Sequence, residues 1–324
     1  MKMAEPSCAV RPLQQPRPGR GWVWSVMNKP DSLQAMSIRN RFRRLTTDRH
    51  PLLGTMSRDD MYDFGRMMAP GGMLLARMMA RHLALGPRTR VLDIGCGRGQ
   101  TSVMLALEFG AEVVSVDLWV NSRERQLLAQ KAGVSGRVLA LQGDMSRGLP
   151  HGTAAFDAIF AMQTLHSFGT RPGMLEYLAK LLKPGGRIVI GQTCFRKDPD
   201  AIPETFRDDD GWNTEYSRYH SPDWWRALFL KGHHFNVDHC AEVLDGDIFW
   251  EDHVIYCGDR AGWSDDFMER HGWIIRHVDR SRTIEPHLTH FILTADKLDP
   301  RMQRTALPHG STDRNLNANS LSQL

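Results

Sequence analysis

The run Val91-Leu-Asp-Ile-Gly-Cys-Gly-Arg-Gly99 constrains this chain more than any other stretch. A short apolar run that ends on glycines reads as a buried strand. Gly95, Gly97 and Gly99 let the backbone turn sharply and come close to a ligand, where a Cβ would clash. Helical spacing begins at once, over Thr101–Phe109, and the unit then repeats. Glu112–Val116 reads as a strand, Arg123–Lys131 as a helix, Arg137–Leu141 and Ala155–Phe160 as strands. Met174–Leu182 reads as a helix, Arg187–Ile190 as a strand, and Ser221–Leu230 as a helix with Ser221 as N-cap and Pro222 at its first position. His234–His239 and Leu288–Thr294 supply the last two strands. Strand and helix alternating at this spacing predict an α/β fold: a doubly wound, mostly parallel, seven-stranded sheet with helices on both faces.

Two stretches break the repeat, 193–220 and 242–286. Trp212, Tyr216, Tyr219, Trp224, Trp225, Phe249, Trp250, Trp263 and Trp273 crowd into this part of the chain. Core packing accounts for many of them, and the two insertions are expected to form an aromatic-rich cap over the sheet. The domain is expected over 56–299. Residues 300–324 form a polar tail rich in Asn and Ser that frays.

Charge separates the N-terminus from the rest. The net charge is +4, yet residues 1–50 hold ten of the 41 Lys and Arg and only three of the 37 acids. That arm carries +7 and the remainder −3. With five prolines in its first fifty residues and no sustained hydrophobic period, the segment 1–55 reads as a basic, disordered arm. It fits a solvated tail, an over-long reading frame whose start is Met27, Met36 or Met56, or a transit or polyanion-binding segment. Five scattered cysteines with no CxxC pair argue against a disulfide or zinc scaffold and fit a reducing cytoplasm. No apolar run approaches the roughly 20 residues that span a bilayer, and no secretory signal is evident.

Several residues accompany the glycine loop. A dinucleotide loop needs its third glycine at position 100, which is Gln100. Asp93 lies two residues before the first glycine, ill suited to a pyrophosphate and well suited to an ammonium. Asp117 ends the second strand, where a carboxylate accepts from ribose hydroxyls. Asp144, in Gly143-Asp-Met145, can accept from an adenine amino group. The fourth strand exits through Ala161-Met-Gln-Thr-Leu-His166, and Leu182-Lys-Pro-Gly-Gly-Arg187 turns sharply into the fifth.

These features, in this order and spacing, resemble the class I S-adenosylmethionine-dependent methyltransferases over roughly 60–296. Pro70-Gly-Gly72, Asp117-Leu-Trp119, Leu165-His-Ser-Phe-Gly169 and His220-Ser-Pro-Asp-Trp-Trp225 are similar to the cyclopropane-fatty-acyl-phospholipid synthase-like group. The resemblance implies the Rossmann-like methyltransferase fold and S-adenosyl-L-methionine as cofactor. It implies that Asp93 positions the glycine loop and the methionine moiety, that Gly95, Gly97 and Gly99 line the cofactor and Asp117 holds the ribose, with Cys96 and Leu118 also among the cofactor-binding residues. Asp144 and Met145 would bracket adenine, Met162 and Gln163 would run beside the sulfonium, and Tyr62 would touch the methionine end from a Met-rich stretch at 61–79.

On the acceptor side, His166 is the base candidate, with Glu215, His220 and His253 as further candidates and Glu251 as a polar contact. True cyclopropane synthases carry Glu-His-Phe-Gly where this chain has His166-Ser-Phe-Gly169, which argues against cyclopropanation. Met162-Gln-Thr-Leu165 replaces the Asn/Asp-Pro-Pro-aromatic run that holds a flipped base, so nucleic acid is disfavoured as acceptor. The expected reaction is methyl transfer to O, N, S or C of a small molecule. Alkene C-methylation of a lipid or isoprenoid, or non-catalytic cofactor binding, stands as the alternative. No metal is expected, because His233 and His234 point to opposite faces of a strand. Oligomeric state stays open, a homodimer being one alternative.

Overall fold

The computed structural model describes residues 37, 39–63, 67, 69–149, 153–204, 216–283 and 288–298. Trp212, Glu215 and the polar tail lie outside the described residues, as does the side chain of Trp273. The strands are β1 (Arg90–Ile94), β2 (Glu112–Asp117), β3 (Val138–Gln142), β4 (Phe156–Met162), β5 (Leu182–Phe195), β6 (Phe235–Glu242) and β7 (Leu288–Lys297). They form one seven-stranded sheet in the order β3-β2-β1-β4-β5-β7-β6. Only β7 runs antiparallel to its neighbours. The helices are α1 (Arg58–Met61), α2 (Gly72–Ala80), α3 (Gln100–Phe109), α4 (Ser122–Lys131), α5 (Met174–Leu181), α6 (Pro222–Lys231), α7 (Phe249–Arg260) and α8 (Asp265–Thr283). The expected doubly wound sheet is the observed one.

Alternation along the strands splits the core between two faces. Val91, Phe160, Val189 and Ile292 pack with Met79 of α2, Met104 of α3, and Phe249 and Tyr256 of α7. Leu92, Ile159, Ile190 and Leu293 pack with Leu178 of α5 and Trp225 and Phe229 of α6. Local signals end the elements: α3 stops at Gly110, φ 68°, whose N–H bonds back to Ala106. Ser221 caps α6 by accepting the N–H of Trp224.

Two expectations about organisation change. Residues 193–195 continue β5, paired with β7, and Glu242 ends β6, so the sheet takes the first residues expected of the cap. The aromatic residues of 242–286 are carried on helices that the mixed polar pattern of Phe249–Arg260 hides.

Residues 39–55, part of the arm expected to be disordered, pack against α7 and α8; residues 1–36 lie outside the described residues. Phe42 joins Ile255, Phe267 and Val278 in a cluster of its own, and Leu45 joins the core over the sheet. Its arginines meet acids across the contact: Arg39 and Arg44 with Asp259, Arg41 with Asp279, Arg43 with Asp247 and Glu251, Arg49 with Asp245. Two acids of α7 are deeply buried. Glu251, 1% exposed, accepts from the Arg43 N–H at 2.6 Å as well as from its guanidinium. Asp252, fully buried, accepts from the Leu45 N–H at 2.9 Å, Arg58 at 2.6 Å and the Tyr62 hydroxyl at 2.6 Å. An ionised carboxylate is stable there only while these donors are present.

A chain begun at Met56 loses the Arg43 and Leu45 donors, leaving Glu251 only the Arg282 guanidinium at 3.9 Å and Asp252 only Arg58 and Tyr62. Urea unfolding should show it less stable by about 3–5 kcal/mol; equal midpoints would mean the arm is dispensable.

Candidate active site

The carboxyl edges of β1 and β4, where the sheet order reverses, open a crevice at the glycine loop. Gly95, Gly97 and Gly99 all have positive φ, at 64°, 54° and 90°. Their surroundings differ. A Cβ on Gly95 would sit 2.2 Å from Thr164 Oγ1, whereas one on Gly97 meets nothing within 4 Å. The loop is thus packed behind Gly95 and open at Gly97, where a ligand would lie against bare backbone.

Three contacts hold the loop. The N–H groups of Gly95 and Cys96 donate to Val116 O, at 2.8 and 3.2 Å. The Asp117 carboxylate accepts from Gly97 N at 2.9 Å through Oδ2, and from Trp119 N and Val120 N, both at 2.8 Å, through Oδ1. A carboxylate offers about four acceptor positions, so Oδ2 keeps one for a ribose hydroxyl. Beneath the loop lies Arg125, 1% exposed, which donates to Ser115 O at 2.7 Å, Leu141 O at 2.8 Å and Cys96 Sγ at 3.2 Å. Sequence reasoning missed Arg125, since an arginine beside Arg123 and Glu124 on an amphipathic helix reads as solvated.

Asp93 is buried behind the loop and accepts from Thr101 Oγ1 at 2.6 Å and Ser102 Oγ at 2.5 Å, fastening the first turn of α3. Burial pushes its carboxyl up to about 6 against the pull of the two hydroxyls. The Cys96 side chain turns inward to Ser115, 3.0 Å away, and burial raises its thiol to about 12, so only its backbone faces the crevice. Asp144 caps the turn Met145–Arg147 by accepting from Ser146 N at 2.9 Å, with Met145 buried behind it. Leu118 and Trp119, 39% and 57% exposed, flank Asp117 and leave an apolar surface beside it.

At the end of β4, Met162 is buried and Gln163 takes φ 54°, a strained backbone for a non-glycine residue of the kind that gathers at functional sites. Gln163 Oε1 accepts from Thr193 N at 3.0 Å; its Nε2 is buried with no partner. Thr193 Oγ1 also meets His290 Nε2 at 3.0 Å, and His290 Nδ1 meets Gly246 O at 2.6 Å. Burial lowers the His290 imidazole to about 4.

The described acceptor-side candidates sit in different surroundings. His166 follows β4 with its ring edge-on to Tyr219, 5.3 Å away. Burial and then the Arg218 cation lower it to about 4, so it stays neutral and binds a proton weakly near neutral pH. His253 is buried on α7 against Tyr62 and Trp250. Tyr62 is fully buried and bonded to Asp252, within the arm contact. Glu251 belongs to the same contact. His220 is partly exposed and pairs with Asp198, a residue the sequence reading did not single out. At the opposite, amino edge of the sheet a cleft of about 610 Å³ is lined by Lys183 and Arg187, whose charges are met by Asp157 and Asp296.

Residues 92–190 match the family model described as "Methyltransferase domain". The 27-O-demethylrifamycin SV methyltransferase of Amycolatopsis mediterranei (strain S699) is 33% identical over 40% of this chain and 47% of its own length. Among solved structures, the [4+2]-cyclase SpnF matches at TM-score 0.56 and 21% identity, over 71% of this chain and 83% of that one. Geranyl diphosphate methyltransferase in complex with SAM matches at TM-score 0.52 and 18% identity, over 70% and 86%. The chain spans about half, or less, of the length of the curated relatives it matches. The family match gives residues 92–190 as a methyltransferase domain, and the sheet order and the glycine loop agree with the class I S-adenosylmethionine-dependent form. The structural likenesses share the fold, and since one of them is a cyclase, the reaction has to be argued from the site.

Two glycine substitutions should separate fold from site. Gly95→Ala bears both a positive φ and a clash with Thr164, whereas Gly97→Ala bears the positive φ alone, so Gly97→Ala should lower the melting temperature less and weaken S-adenosylmethionine binding in calorimetric titration. Equal losses of stability would refute the open face at Gly97. Asp93 gives a pH signature. Its folded carboxyl holds a proton above the ordinary range, so the stability it contributes falls as pH rises from about 4 to about 6 and then levels. Asp93→Asn should remove that slope, read as the difference between urea midpoints across pH 4–7.

Proposed function

We propose that the chain transfers a methyl group from S-adenosylmethionine to a small-molecule acceptor at the carboxyl edge of the sheet. The observation that carries this is the loop open at Gly97 and bridged to Asp117, a cradle that a Cβ would fill. Gly95, Gly97 and Gly99 would back the methionine end, Asp117 the ribose, Leu118, Asp144 and Met145 the adenine, and Met162 and Gln163 the reacting end. When bound, the cofactor supplies an activated methyl group, and the protein's share is alignment of acceptor and methyl carbon. Gln163 contributes a buried amide N–H held in place by Thr193. Trp224, half-buried past the end of β5 with Tyr216 and Tyr219 packed behind that strand end, would offer the acceptor an aromatic face, which suits a flat or apolar molecule.

Calorimetric titration with S-adenosylmethionine tests the cofactor half: binding is expected, and Asp117→Ala should weaken it by about 1–3 kcal/mol. Absence of binding by the wild-type chain would sink the proposal. Incubation with methyl-labelled cofactor and a panel of alcohols, phenols, amines, thiols and unsaturated lipids tests the transfer. Binding with no labelled product from any of them would favour a cofactor-binding protein without this activity.

A further inference from the structure

We propose that Asp198 and His220 form a base and its orienting carboxylate, and that the acceptor they serve is a hydroxyl group. The inference rests on the methyl-transfer reading and names its acceptor class.

His220 Nδ1 lies 3.0 Å from Asp198 Oδ1. A carboxylate only accepts, so Nδ1 carries the hydrogen, and in the neutral imidazole the lone pair is then on Nε2. Asp198 is itself fixed by the Ser221 N–H at 3.2 Å and the Ser221 hydroxyl. The imidazole is also stacked on Trp224, ring centres 3.7 Å apart and planes 10° from parallel. Hydrogen bond and stack fix the ring about two axes, while 29% of the side chain stays exposed.

The dyad stands at the edge where the glycine loop opens. Phe195, the last residue of β5, donates to Tyr219 O at 3.0 Å, tying the residue before His220 to the strand end. Met162 at the end of β4 pairs with Gly191, so β5 runs on past β4 to bring the dyad above the sheet.

Other histidines near this edge or the arm lack the combination. His166 is held neutral by burial. His290 uses both ring nitrogens, and His277 faces the Tyr216 hydroxyl at 2.6 Å. His50 meets Asp245 but is buried beneath the Arg49 ion pair.

The chemistry favours a hydroxyl. A neutral amine attacks with its own lone pair and sheds its proton afterwards. A thiol, at about 8.5, ionises with little help. A phenol near 10, or an alcohol, becomes an effective nucleophile when a base takes its proton during attack. In that step the proton passes from the hydroxyl to His220 Nε2, and the O–H electron pair remains on oxygen, which bonds to the methyl carbon. The carbon–sulfur pair stays on sulfur. The resulting imidazolium faces Asp198 and later returns its proton to water.

Two measurements test this. ¹⁵N NMR of the wild-type chain without ligand should show His220 as the Nδ1–H tautomer, with Asp198→Leu shifting it toward a mixture; an Nε2–H tautomer in wild type would overturn the dyad. In the second, labelled cofactor is offered with phenols, alcohols, amines and thiols. Hydroxyl acceptors should be turned over, with kcat lowered about 100-fold by His220→Ala and about 10-fold by Asp198→Asn, at unchanged cofactor affinity. Added imidazole should restore part of the His220→Ala rate, which a structural role would not allow. Cofactor binding with methylation of amines or thiols alone, with no hydroxyl methylated, or with wild-type kcat in both variants, would refute the proposal. Failure to bind cofactor would instead remove the methyl-transfer reading beneath it.

Discussion

The Asp117 carboxylate is the contact on which the site depends. It sits where β2 ends and takes N–H groups from its own turn and from Gly97 of the neighbouring loop. Parallel pairing sets that distance, because Asp93 and Ile94 lie level with Ser115 and Val116 across the β1–β2 ladder. Arg125 closes the arrangement from beneath, binding carbonyls of both β2 and β3. A glycine loop would otherwise have many conformations; here one is selected, with its open face toward the crevice.

A second constraint is electrostatic. The positive balance of the chain belongs to its first fifty residues, and much of it is met inside the molecule by acids on and before α7 and on α8. The exposed pairs contribute little singly. What ties the arm down is that Glu251 and Asp252 are buried and take donors from arm backbone as well as side chains. The same contact absorbs Tyr62, and its neighbour Asp63 accepts from Gln100 at the start of α3 at 2.7 Å. Arm, α7 and glycine loop are therefore parts of one packed unit. The expected partner of a basic arm becomes the chain's own helix pair.

The sheet and most helices were legible because their signals are local. Val91–Ile94 and Arg187–Ile190 are apolar runs bounded by glycine, and Ser221-Pro222 is a cap followed by a compatible first residue. The cofactor side was legible for the same reason, since Gly95–Gly99 and Asp117 are fixed by strand ends. The acceptor side was not. His166 was the residue best placed by sequence order, yet burial and Arg218 leave it a poor base. Asp198 carried no signal, because its importance comes from lying against His220, 22 positions later.

The sequence by itself thus determined the order of strands and helices, the glycine turn and the carboxylate at the end of β2. These follow from hydrophobic period and backbone freedom, which act over a few residues. Only the tertiary structure decided which charges are buried, that His220 lies against Asp198, and that residues 39–55 pack against α7 and α8. Those outcomes depend on desolvation and on partners some 200 residues apart, as between Arg43 and Glu251, and no local pattern records such a pairing.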